Sequence, residues 1–213
     1  AIAGIAIGVV ILPQLSKYVQ KKDKRKILLI QNKALELSMF LSLPASVALL
    51  IGSQEIISAL FGYGSFGKVA VNNSAKALYF FSLGLPAFAL IKVFSSFFFA
   101  NHDTKTPFYI SLISVILNVI ISVYYFNKIG FIIIPIATTI SSWFNSIILF
   151  IYLINKGLFR FNKIFVINFI KIVFATFLMG AFFKYLYPLC SSLPSPLNTT
   201  LIFVFSFIYF PIK

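Results

Sequence analysis

Acidic side chains are nearly absent. Asp23, Glu36, Glu55 and Asp103 are the only ones in 213 residues, and no two are placed as a pair across a cleft. General acid–base work by paired carboxylates, or a magnesium site on acidic residues, is therefore poorly supported. His102 is the single histidine and Cys190 the single cysteine. A histidine metal cluster, a cysteine-rich metal site and an internal disulfide are excluded. His102 reads as a solvated loop residue and Cys190 as an inert thiol near a membrane surface. Neither a P-loop nor a dinucleotide fingerprint is present. These absences argue against an enzyme. Arginine is also missing from the apolar runs: Arg25 and Arg160 both sit in polar breaks.

What is there is apolar. The chain is 60% hydrophobic, 18% aromatic and 10% charged, with a mean hydropathy of +1.00. A soluble domain of this size has no interior large enough for that surface, so the sequence predicts an all-α, polytopic transmembrane helix bundle. The formal charge of +14 is high enough to suggest nucleic acid. The basic residues, however, occupy short breaks between apolar runs, the pattern of topology determinants rather than of a phosphate-binding groove. No nucleic-acid partner is expected.

The runs give about five complete spans and two partial ones. Residues 1–17 read as the remainder of a first helix, with Gly4 and Gly8 in the G-x-x-x-G spacing that lets helix backbones approach in lipid. Residues 34–51, 75–100, 108–126, 129–154 and 164–187 read as complete spans. Residues 52–73 are too polar to cross, and Glu55–Leu60 within them reads as a short amphipathic turn at the outer interface. A break with three prolines and no charge, 188–200, precedes a seventh run that is half a span long, so the chain reads as a fragment of something longer. Near the second span, Lys33 and Glu36 are spaced to pair on one helix face. Every second break is basic. Seven Lys and Arg lie between Lys17 and Lys33, one in the 101–107 turn and three between Lys156 and Lys163. By the positive-inside rule those breaks face the cytoplasm.

Polar residues inside the spans carry the functional signal. They are Lys92, Asn118, Ser122, Thr138, Thr139, Ser141 and Asn145. One such residue is ordinarily interhelical glue worth roughly 0.6–2 kcal/mol. Seven on three consecutive helices exceed what packing needs and suggest a polar cavity, as a transporter has. Lys92 lies roughly 13 Å along the helix from the 101–107 turn, inside the hydrocarbon core. It either snorkels to the nearer interface or faces a cavity, where its charge would favour an anionic substrate. Lys171 and Lys184 are close enough to helix ends to snorkel.

At these residues the chain resembles the MurJ/MviN family of lipid II flippases, within the multidrug/oligosaccharidyl-lipid/polysaccharide exporter superfamily. The motifs are Leu12-Pro13-Gln14-Leu15-Ser16, Asn32-Lys33-Ala34-Leu35 and Leu43-Pro44-Ala45, then Leu60-Phe61 with Gly64 and Phe66. Gly84-Leu85-Pro86-Ala87, Lys92-Val93 and Asp103-Thr104-Lys105-Thr106-Pro107 follow, then Leu117-Asn118 and Ala137-Thr138 with Trp143 and Asn145. Each is weak alone; their order and spacing over residues 4–155 make the set specific.

The resemblance implies fourteen helices in the whole protein, two six-helix lobes around a central cavity and a last pair forming a lipid-tail groove. Residues 1–155 then correspond to the second lobe, and residues 164–213 to the terminal pair with its last helix incomplete. It implies a place in the bacterial inner membrane, a lipid II or related polyprenyl-pyrophosphate glycolipid substrate, membrane lipids around the bundle, and a missing amino-terminal half as partner. It further implies that Lys92 and Asn145 line the substrate cavity. A sodium ion, held in some members, would find candidate ligands in Asn118, Ser122 and Thr139, although Ser122 stands where those members have a carboxylate. The competing expectations are an exporter of another polyprenyl-linked sugar and an inactive remnant or scaffold.

Overall fold

The computed structural model describes residues 2–63 and 67–190. Seven α-helices occur among them: α1 (Ile2–Gln20), α2 (Lys24–Ile51), α3 (Ser53–Phe61), α4 (Lys68–Ala100), α5 (Lys105–Ile129), α6 (Ile133–Asn155) and α7 (Lys163–Cys190). A single 3-10 turn, Gly130–Ile132, separates α5 from α6. The expected run from Leu201 lies outside the described residues. Four stretches are long and apolar enough to cross a membrane, and the third, Lys105–Asn155, has 51 residues. It contains both α5 and α6, each long enough to span alone, so α2, α4, α5, α6 and α7 make five. The chain is a multi-pass membrane protein with an all-helical fold.

The helices outrun the apolar runs that announce them. α2 starts at Lys24, ten residues before its span, because Asp23 caps it: the carboxylate accepts from the Lys26 amide at 3.2 Å. α4 starts at Lys68 rather than 75, and the expected turn at Glu55–Leu60 is the nine-residue helix α3. Hydropathy marks the membrane-crossing part of a helix, whereas capping and turn chemistry mark its ends.

The core is built on α4, which contacts α1, α2, α3 and α6. Phe94, Phe97 and Phe98 of α4 are buried with Leu15 of α1, Leu35 of α2 and Leu149 and Leu153 of α6. Phe159, from the α6–α7 loop, plugs this cluster and stacks on Phe97 with ring centroids 6.1 Å apart. Gly8 lets α1 in close, since a side chain there would meet the Ser96 hydroxyl at 2.9 Å. Among the described helices, α7 packs its backbone closely on α2. Gly180 permits that approach, because a Cβ would meet Val47 at 2.8 Å. Glu36 does not pair with Lys33: its carboxylate accepts from Asn168 of α7 at 2.9 Å.

The three basic breaks gather at one end of the bundle. Asn32 donates to the Arg160 carbonyl at 3.0 Å and accepts from the Asn162 amide at 3.1 Å, while Gln31 donates to the Leu158 carbonyl at 3.1 Å. Lys156 pairs with Asp103 at 2.6 Å. Positive charge is thus concentrated at one membrane face, as the alternation of the loops predicts.

Candidate functional site

Proline makes α4 a docking rail. Pro86 has no N–H, so the Ser82 carbonyl four residues earlier lacks its helical donor. Ser46 of α2 supplies one, donating to that oxygen at 2.6 Å. The neighbouring carbonyls also take side chains: Thr139 donates to Phe80 at 2.7 Å and Trp143 to Leu83 at 3.0 Å. Gly84 leaves room, since a Cβ there would lie 3.0 Å from the Thr139 hydroxyl. These contacts seat α2 and α6 on the middle of α4.

Further along α4, Lys92 is exposed, on a stripe with Phe81 and Phe99. Its backbone carbonyl accepts from Ser96 at 2.9 Å and lies 3.7 Å from where a Gly8 side chain would begin. Among the described residues no carboxylate pairs with its ammonium; the ion pairs are Lys26–Asp23 and Lys156–Asp103. The later part of α4 therefore presents one unpaired positive charge on its exposed face.

A second polar group sits between α5 and α6. The Asn118 amide donates to the Thr138 hydroxyl at 3.1 Å and the Ser141 hydroxyl at 3.2 Å, and its oxygen accepts from Ser122 at 3.4 Å. Thr138 and Ser141 in turn donate to the Ile134 and Thr138 carbonyls. Asn118 and Ser122 are thus brought together as expected, but Thr139 is not with them. One residue turns a helix by 100°, so Thr138 faces α5 while Thr139 faces α4. Asn145 shares the α5-facing stripe. It is buried, its amide donates to Ser111 at 3.4 Å and its oxygen has no partner among the described residues, so it stands on the α5 side of α6 while Lys92 is on the exposed stripe of α4.

The three expected sodium ligands are not assembled at one point: Asn118 and Ser122 bond each other, while Thr139 donates to the Phe80 carbonyl of α4. A half-buried network of mutual hydrogen bonds rigidifies a helix pair, which is the role this geometry supports.

An apolar cavity of about 430 Å³ opens on another side, between α2, α4, α6 and α7. Leu35, Met39, Pro86, Phe94, Trp143 and Phe169 are among its walls. It was not legible in the sequence, because its walls come from four helices whose mutual arrangement no local pattern encodes.

Outside the membrane-crossing segments, the Asp103 carboxyl is perturbed. Partial burial pushes its carboxyl up, but the hydrogen bond from Lys156, the two from Thr106 and the Lys156 charge outweigh it and hold the pKa at about 2.

An all-helical bundle of several apolar spans, with an unpaired lysine on one helix and polar residues inside the spans, is a multi-pass membrane protein. The family model described as lipid II flippase MurJ matches residues 1–202, and the chain belongs to that family. It is 36% identical over 152 residues to a probable lipid II flippase MurJ of Rickettsia prowazekii (strain Madrid E), covering 71% of this chain and 30% of the relative. Against the protein of that name from Buchnera aphidicola subsp. Acyrthosiphon pisum (strain APS) the identity is 30% over 181 residues, covering 84% and 35%. A solved lipid II flippase MurJ in an inward closed conformation superposes with a TM-score of 0.74 at 23% identity, covering 96% of this chain and 42% of that one, which supports the fold. The matched segment spans about a third of the length of these relatives.

Proposed function

We propose that the chain is part of a lipid II flippase of the bacterial inner membrane. It moves a polyprenyl-pyrophosphate-linked peptidoglycan precursor across the bilayer by alternating access and catalyses no covalent chemistry. Lys92 carries the reading. A lysine this deep in the hydrocarbon costs about 3 kcal/mol unless water or an anion reaches it, and no carboxylate among the described residues does so. An exposed ammonium on the free face of α4 suits a cavity wall that attracts an anionic headgroup. The chain supplies one lobe. Alternating access requires two bundles rocking about a site between them, so the partner is a bundle equivalent to the other lobe. The absence of arginine from the spans fits this division, because a pyrophosphate is best gripped by planar guanidinium groups, which the other lobe would provide.

The test is complementation in cells depleted of their flippase. Co-expressed with the amino-terminal half of a relative, the chain should restore growth. Lys92→Ala should abolish the rescue, whereas Lys171→Ala and Lys184→Ala should leave it intact. Equal tolerance at all three positions would make Lys92 a snorkelling residue. Rescue by the chain alone would overturn the half-module reading.

A further inference from the structure

At the basic end of the bundle a cavity of about 300 Å³ lies between the start of α2, the end of α4 and the α6–α7 loop. Lys24 and Arg160 line it, with Asn101 as a neutral polar group and Ile27, Leu28 and Leu158 as apolar wall. We propose that this cavity binds the phosphate headgroup of an anionic membrane phospholipid, held by Lys24 and Arg160.

Charge is the first argument. Each nearby acid is already engaged: Asp23 with Lys26, Asp103 with Lys156 and Thr106, and Glu36 with Asn168. Lys24 and Arg160 share one cavity with no carboxylate in its lining. Orientation of the chain in the membrane needs cations at this end but does not need two of them to converge. Lys21, Lys22, Lys33 and Lys163, exposed as Lys24 and Arg160 are, serve orientation equally well without lining this cavity.

The second argument is that the site is built. Arg160 sits on a loop whose backbone is clamped from α2, where buried Asn32 holds Arg160 and Asn162 and fully buried Gln31 holds Leu158. Phe159, between the lining residues Leu158 and Arg160, is locked into the core against Phe97. The guanidinium is therefore presented by a fixed backbone, which reduces the ordering cost of gripping a phosphate.

The apolar wall selects the source of the phosphate. A free ion gains nothing from Ile27, Leu28 and Leu158. A phospholipid places its phosphate against the cations and its glycerol and upper acyl carbons against that wall, at the depth where cytoplasmic-side basic pockets take anionic headgroups. The site is distinct from Lys92 and stands whether or not the chain moves lipid.

Native mass spectrometry of the purified full chain, titrated with phosphatidylglycerol in detergent, tests this. The wild type should retain one phosphatidylglycerol. The double variant Lys24→Gln/Arg160→Gln should bind it about twenty-five-fold more weakly, at about fivefold for each cation removed. Arg160→Lys should keep most of the binding, and Lys163→Gln should change nothing, with helicity by circular dichroism confirming that each variant folds. Unchanged affinity in the double variant would overturn the proposal. Equal retention of phosphatidylcholine, or displacement of the lipid by millimolar inorganic phosphate, would overturn the assignment to an anionic phospholipid.

Discussion

The α1–α2 and α4–α5 turns are the same device put to different use. In each, the preceding helix ends with a residue in the left-handed region, Lys22 at φ 55° and His102 at φ 59°. In each, the following aspartate amide reaches back five residues, Asp23 to the Tyr18 carbonyl at 3.2 Å and Asp103 to the Phe98 carbonyl at 3.0 Å. This closes the carbonyl end of one helix. The same aspartate then accepts an amide of the next helix, Lys26 or Thr106. The turns differ in what else the carboxylate holds. Asp23 meets Lys26 of its own helix at 3.8 Å, in solvent. Asp103 meets Lys156 from the end of α6 at 2.6 Å, and Lys156 also lies over the Phe98 ring. One turn is a local cap; the other fastens two helical hairpins together.

That contrast is open to direct attack. The largest effect is expected from Asp103→Ala, which removes a cap worth about 1 kcal/mol and also the tie to α6, for a total of about 2 kcal/mol. Asp23→Ala should cost about 1 kcal/mol or less. Thermal unfolding of the purified chain in detergent measures both, and an equal loss would show that the link to Lys156 adds nothing.

A smaller effect concerns the left-handed caps. The α6 helix closes in the same way, but with Gly157 at φ 65°, where glycine carries no steric penalty. Gly157→Ala should destabilise by about 1 kcal/mol, whereas His102→Gly should be neutral or stabilise by a few tenths of a kcal/mol. Opposite signs at the two positions, read by the same melts, would confirm that His102 holds its conformation under strain. A clear loss on His102→Gly would instead give its imidazole a contact role.

The smallest effect is in pH. Because the Asp103 pKa is depressed to about 2 from 3.8, its contribution is fully present above 3.8 and is lost as pH falls through about 2. The stability gap between wild type and Asp103→Ala should hold from neutral pH to about 4 and narrow below it. A gap already closing at pH 6 would implicate another group.

How much of this was legible beforehand follows the range of the interactions. The apolar runs, the basic alternate breaks and the ordered motifs set by themselves the helical class, the five complete spans, which loops share an end and the family. These depend on composition and on the solvent each segment meets, and both are local properties. Helix starts at Lys24 and Lys68 do not stand out in the sequence because charged and amide residues, Gln31, Asn32 and Lys33 in α2 and Asn72, Asn73 and Lys76 in α4, separate the first apolar residues from the main run.

The site divided in the same way. A period of 3.6 residues states that Asn118 and Ser122 share a face, and they do meet. It does not state which neighbour a face will meet. That Thr139 turns to the Phe80 carbonyl, that Asn145 turns to Ser111, and that Arg160 and Lys24 converge on one cavity were decided by how the helices dock on α4. Docking depends on where Pro86 leaves a carbonyl without its helical donor and where Gly8, Gly84 and Gly180 leave room. Those are pairwise facts of shape and hydrogen bonding, settled only when distant segments come together.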